Sequence, residues 1–183
     1  MKDEGRRTKD ERRITNIVLI GFMASGKTVV GRALAKKLKK KYVSLDSLIV
    51  RRTHQSIPKI FRERGQAYFR ELESKALVSL KGRENMVLAT GGAIVLKEKN
   101  VKTLRRLGTV VLLECKPEVA LKRSGKFKTR PLLHIADKAE RLKVIKRILR
   151  ARKEIYEAAA DITVETTKLS VSGVVKKICQ KLK

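Results

Sequence analysis

Eight residues, Gly21-Phe22-Met23-Ala24-Ser25-Gly26-Lys27-Thr28, set the terms on which this chain can fold. They match the pattern G-x-x-x-x-G-K-[ST], whose glycines let the backbone curl until successive N–H groups point inward at phosphate. Such a loop follows a buried strand and opens a helix, because the positive N-terminal end of the helix completes the anion cradle. Both flanks are present. The apolar run Ile17–Ile20 precedes the loop, and Val30, Ala33, Leu34 and Leu38 follow at the spacing of one buried helical stripe. This predicts a nucleoside-triphosphate site built on Ala24, Ser25, Gly26, Lys27, Thr28 and Val29. Lys27 is placed to reach the β- and γ-phosphates, and the Thr28 hydroxyl to ligate one Mg²⁺.

Beyond the loop, short apolar runs alternate with longer segments of helical period. The candidate strands are 17–20, 42–45, 87–89, 110–113 and 162–164. Helical patterns cover about 27–40, 57–64, 66–81, 98–106, 117–123, 137–157 and 171–182. Short strands separated by helices predict an α/β fold of three layers, a five-stranded parallel sheet with helices on both faces. At 183 residues there is room for a single domain, expected over 14–183. Residues 1–13 are almost all charged and read as a disordered tail. The basic stretch of about 124–136, with Gly125 and Pro131, reads as a lid carrying Lys126, Lys128 and Arg130.

Composition narrows the choice of partner. The net charge of +28 fits either a nucleic-acid binder or a surface suited to small anions. The lysines of 36–41 fall mostly on the water side of their helix. Aromatic residues make up only 4%, with no Trp, so base-stacking platforms are lacking. Nucleic-acid binding is therefore not expected as the main function. No apolar run is long enough to span a bilayer, and Cys115 and Cys179 have no metal-ligand spacing, which predicts reduced thiols in a cytoplasmic protein.

Several residues point to the acceptor of the phosphate. Asp46 ends the second strand run, at the edge where doubly wound sheets bind ligands, and reads either as a ligand contact or as a helix N-cap. Thr90-Gly91-Gly92 closes the third run as a tight turn or a close approach to a ligand. Arg70 and Glu73 neighbour each other on one helix, as a surface ion pair or as a carboxylate aiming a guanidinium. Arg152 falls on the buried stripe of Ile145, Ile148, Leu149 and Tyr156, where it must snorkel to water or meet an anion.

In this order the segments resemble the shikimate kinases, within the nucleotide-monophosphate-kinase-like group of P-loop kinases. The resemblance runs from about Ile17 to Thr166. It rests on the loop at 21–28, Ile60-Phe61, Gly65, Phe69-Arg70-x-x-Glu73, Ala89-Thr90-Gly91-Gly92, Arg130-Pro131-Leu132-Leu133 and the Arg152…Tyr156 pair. It implies ATP-dependent phosphorylation of the 3-hydroxyl of shikimate, with Lys27, Asp46 and Arg130 catalytic and Arg123 near the adenine. It further implies that Arg70 and Arg152 hold the substrate carboxylate, that Gly92 makes a backbone contact, and that Phe61 and Phe69 form pocket walls. Without that carboxylate the two guanidinium groups are expected to be unpaired. The protein is expected to act as a monomer. A gluconate-type polyol kinase, or a kinase-like module that binds without turnover, is the alternative.

The chain departs from the family pattern at five places. Ser44 stands where the family usually has the first Asp of Asp-x-Asp, which supports Mg²⁺ through water, so a weaker hold on the metal is expected. Val50, His54 and Gln66 replace a common Glu, Gly and Glu, and Ala93 replaces a third Gly, where crowding of the loop is expected.

Overall fold

The computed structural model describes residues 16–123 and 137–183. The expected tail, the lid and its Arg130 lie outside the described residues.

Five strands form one parallel sheet: β1 (Asn16–Ile20), β2 (Lys41–Ser44), β3 (Met86–Ala89), β4 (Thr109–Glu114) and β5 (Ile162–Glu165). Their order is β2-β3-β1-β4-β5. All four neighbouring pairs are parallel, with Val18 opposite Leu88 on one side and Val110 on the other. Every residue of β1 is buried, as a central strand covered on both faces requires.

Helices α1 (Lys27–Lys37) and α7 (Val171–Lys181) cover one face. Their Val30, Leu34, Val174, Val175 and Ile178 pack on Ile17, Leu19, Val111 and Leu113. The opposite face carries α2 (Leu45–Thr53), α3 (Ile57–Val78), α4 (Glu98–Leu107) and α6 (Lys138–Ala159). There Leu48, Ile60, Leu77, Leu104 and Tyr156 pack on Val18, Ile20, Leu88 and Leu112. Alternate side chains of β1 thus feed two separate cores. The short helix α5 (Pro117–Arg123) joins α6 in a third cluster with Phe22 and Ile145. The expected architecture is the observed one.

Local boundaries differ at several places; α1, for one, ends at Lys37 and not at 40. Leu45 is not the end of β2 but the first residue of α2, although its apolar side chain extends the strand pattern of Tyr42 and Val43. Ser44 is the N-cap of that helix, its Oγ accepting from Ser47 N at 3.3 Å. Asp46 therefore lies in the first turn of α2 and is neither a strand end nor the cap. The two helices expected at 57–64 and 66–81 are present as the two halves of α3, divided at Gly65, whose φ of 77° and ψ of 177° are not helical; the second half ends at Val78 instead of 81. A 3-10 turn at Ile94–Leu96 had no sequence signal of its own.

Because every strand points the same way, the loops after β1, β2 and β3 gather at one edge of the sheet. The chain leaves β1 toward β2 on one side and passes from β3 across β1 to β4 on the other. The crevice at that reversal is where an open parallel sheet holds its ligand.

Candidate active site

The phosphate loop takes the shape its glycines predict. Gly21 has φ 134° and Gly26 φ 102°, and at Gly21 a β-carbon would run into the Leu113 carbonyl. Ala24 also sits in the left-handed region, at φ 62°. Ser25 N donates to Phe22 O at 3.2 Å, and Val30 N to Gly26 O at 2.9 Å, so the loop passes directly into α1. The Lys27 ammonium is buried, 8% exposed, and donates to the carbonyls of Gly21 and Phe22, both at 2.7 Å. Two carbonyls thus steady the cation beside the loop it is expected to serve.

A cleft of about 780 Å³ opens from this loop. The expected residues Ala24, Gly26, Lys27, Thr28, Val29, Asp46, Phe61, Phe69, Arg70, Gly92 and Arg123 line it. Ser25 is buried behind the loop, and its Oγ has no hydrogen-bond partner among the described residues. Asp46 is brought in by the first turn of α2, facing the loop from the end of β2. The rings of Phe61 and Phe69 pack with centroids 4.8 Å apart, and the Arg70 guanidinium lies 5.4 Å from the Phe69 centroid. The kink at Gly65 changes the path of α3 between those two phenylalanines.

The Arg70–Glu73 relationship is not a surface ion pair. Arg70 Nη1 donates to Glu73 Oε2, and the Glu73 side chain is only 1% exposed. Burial pushes the Glu73 carboxyl above the ordinary Glu range, outweighing the opposing pull of the Arg70 charge and hydrogen bond; nearby Asp46 pushes the same way. Glu73 Oε1 and Arg70 Nε have no hydrogen-bond partner among the described residues. Oε1 lies so close to Gly91 that a β-carbon there would overlap it. On the other side of the same turn, a β-carbon on Gly92 would lie 3.2 Å from Met23 N and 3.5 Å from Gly21 O. The paired glycines are therefore a close approach: one is held against the Arg70–Glu73 pair, the other against the phosphate loop. Thr90 anchors the turn, its Oγ1 donating to Leu19 O at 3.0 Å. Ala93 follows with φ −115° and ψ 8°, which any L residue adopts, so its methyl group brings no backbone strain.

Arg152 is half-buried on α6 and does not itself line the cleft; Nη1 donates to the Gly92 carbonyl at 3.2 Å, and the Tyr156 hydroxyl donates to the same oxygen. Burial raises the Tyr156 pKa, while the charges of Arg152 and, less strongly, Arg70 lower it, so both guanidinium groups are felt at this hydroxyl. Contrary to expectation, neither arginine is without a partner: Arg70 has Glu73 and Arg152 has Gly92. A ligand carboxylate would compete with a neutral carbonyl for Arg152, a contest that favours the charged acceptor.

On the nucleotide side, Arg123 donates to Thr166 Oγ1 at 2.9 Å and to Thr166 O at 2.7 Å. Thr166 Oγ1 reaches Glu114 O at 2.7 Å and Ser25 O at 3.3 Å. The arginine is thus fixed to the back of the phosphate loop through one buried threonine. Sequence reading missed Thr166, whose partners lie 43, 52 and 141 residues away, and no local pattern marks such a role. Cys115 and Cys179 are both free, and burial pushes the Cys115 thiol up, away from reactivity.

Among the described residues no helix is long and apolar enough to cross a membrane. No group of three or more His, Cys, Asp or Glu able to hold a metal occurs among them either. The cleft offers instead the Thr28 hydroxyl at the N-terminus of α1, and Asp46 lines the same cleft. Such a sparse set suits Mg²⁺, which keeps several waters and takes phosphate oxygens as ligands.

The family model described as shikimate kinase matches residues 23–183. A shikimate kinase of Pelotomaculum thermopropionicum is 40% identical over 168 residues, covering 92% of this chain and 95% of that protein. One from Caldanaerobacter subterraneus is 37% identical over 163 residues, covering 89% and 93%. A solved structure of shikimate kinase from Acinetobacter baumannii in complex with shikimate superposes with a TM-score of 0.88. It is 34% identical and covers 95% of this chain and 96% of that one.

Proposed function

The chain belongs to the shikimate kinase family, and from that membership we propose that it transfers the γ-phosphoryl of ATP to the 3-hydroxyl of shikimate, giving shikimate 3-phosphate. The reading is carried by one observation: the Gly91–Gly92 turn joins the phosphate loop to Arg70 and Arg152. An acidic cyclic polyol in the cleft would have its carboxylate toward Arg70 and a hydroxyl toward the phosphates, and Arg152 would join Arg70 on that carboxylate by leaving the Gly92 carbonyl. A neutral sugar would leave both arginines with their present partners and gain no charge-assisted bond.

Phosphoryl transfer passes through a loose transition state, so positioning and charge neutralisation outweigh proton abstraction. Asp46 orients the attacking hydroxyl and accepts its proton late in the transfer. Lys27 turns from the Gly21 and Phe22 carbonyls toward the phosphates, while the loop N–H groups hold them. Arg123, braced by Thr166, flanks the nucleotide. Phe61 and Phe69 close the wall of the acceptor pocket. Arg130 is assigned to the transferring phosphate on family resemblance alone. Mg²⁺ bound with ATP, on the Thr28 hydroxyl, would neutralise charge between the β- and γ-phosphates. In this reading the protein works as a monomer in the cytoplasm.

Coupled measurement of ADP release, with shikimate, gluconate and simple sugars as acceptors, tests the proposal. Mg²⁺-dependent release with shikimate alone supports it; turnover of gluconate in preference would replace it. Ser44, which brings no charge to a metal-bound water, favours the second reading of a module that binds without turnover. Tight binding of ATP and shikimate with no ADP release would select that one.

A further inference from the structure

The surplus of positive charge is not spread evenly over the protein. Residues 28–41 carry six Lys or Arg, residues 168–183 carry five, and neither stretch contains an Asp or Glu. These stretches include α1 and α7, which pack side by side on one face of the sheet. The contrast with α6 is direct. There Lys143 pairs with Glu140 at 2.7 Å, Lys146 with Glu118 at 3.0 Å and Lys153 with Glu157 at 3.8 Å. On the α1–α7 face Lys36, Lys37, Lys39, Lys177 and Lys181 are all exposed, and none pairs with an acid among the described residues.

This face cannot serve the kinase site by contact. Lys37 is ten residues of α1 beyond Lys27, about 15 Å along the helix and away from the phosphate loop. Favourable interaction with the helix dipole accounts for a cation in each last turn, such as Lys37 and Lys181, but not for Lys39 and Lys177 or for the lack of acids in both stretches. A lipid surface is a poor match. The apolar stripes of both helices are consumed by the core, through Val30, Leu34, Val174, Val175 and Ile178, so no apolar face is left to insert.

We propose that the α1–α7 face, in addition to any kinase activity, binds the phosphate backbone of a nucleic-acid duplex without reading its sequence. The cations supply counterion release. The lack of exposed aromatic side chains on these helices rules out base stacking, which leaves backbone contacts as the mode. With about five phosphates neutralised, the logarithm of the binding constant falls with the logarithm of salt at a slope of about −4.5, a loss of roughly 500-fold between 50 and 200 mM.

The test is fluorescence anisotropy of the full chain with a labelled 20-base-pair duplex over that salt range. Lys36→Gln, Lys37→Gln, Lys177→Gln and Lys181→Gln combined should weaken binding at least tenfold and flatten the slope by about three to four. The same four positions changed to Arg should restore it, and kcat and both KM values should stay at wild-type levels. An equal change of charge elsewhere, Lys99→Gln, Lys102→Gln, Lys143→Gln and Lys153→Gln, should leave binding within about threefold. Equal loss in both sets would overturn the assignment to this face. So would binding that ignores salt, or tighter binding to phosphatidylserine vesicles than to the duplex.

Discussion

Arg152 and Gly92 lie 60 residues apart in sequence, yet the guanidinium of one donates to the carbonyl of the other across 3.2 Å. Tyr156, one turn along α6, donates to the same oxygen. If Arg152 leaves that carbonyl for a substrate carboxylate, the tyrosine keeps the buried acceptor satisfied and the turn in place. Tyr156→Phe should therefore raise the KM for shikimate roughly fivefold, about 1 kcal/mol, and leave the KM for ATP unchanged. Equal effects on both would mean that the hydroxyl serves only general stability.

Glu73 gives a pH signature with a definite sign. Burial raises its folded pKa above the unfolded value. Its contribution to stability is therefore fully present below the unfolded pKa and is lost as pH rises through the folded one. Glu73→Gln removes this titration. The Tm of the wild type should fall relative to that of the variant as pH climbs from about 4, the ordinary Glu value, and the difference should level off above the elevated pKa. A wild-type advantage that grows over the same interval would show that attraction to Arg70 outweighs burial.

Ser44 caps α2 through its Oγ. Aspartate caps as well as serine, so Ser44→Asp should keep the unfolding free energy within roughly 0.5 kcal/mol of wild type while adding a charge near a metal-bound water. Titration of activity against Mg²⁺ should show half-saturation at a lower concentration in the variant. An unchanged midpoint would remove Ser44 from the metal's surroundings.

Thr166 joins Arg123 to the phosphate loop through one hydroxyl. Thr166→Val keeps the shape but orphans those partners, at a cost of about 1–3 kcal/mol in stability. Its KM for ATP should rise and its KM for shikimate should not. Steady-state kinetics with each substrate varied in turn decide the point.

Much of this was readable in the residues themselves. The glycine-lysine-threonine loop demanded a strand before it and a helix after it, and the alternation of apolar runs with helical stripes led to the parallel sheet. Arg152 stood out because a guanidinium fell where its helix should be apolar. The helix at Leu45–Thr53 was hidden, because it begins directly after the strand with no loop between them, and Leu45 continues the strand's pattern by one residue. For Glu73 a surface pair and a carboxylate aiming a guanidinium both stayed open, since spacing of i, i+3 says which side chains meet but not how deeply they are buried. Thr166 and the shared Gly92 carbonyl depend on contacts between distant segments and leave no periodic trace.

Recognition of the acceptor through its carboxylate stands or falls with Arg152→Ala. In steady-state assays with saturating Mg²⁺, the loss of one charge-assisted contact, about 2–3 kcal/mol, should raise the KM for shikimate roughly 30- to 150-fold while the KM for ATP stays near wild type. Equal losses for the two substrates, or no change for shikimate, would contradict a carboxylate held by this arginine.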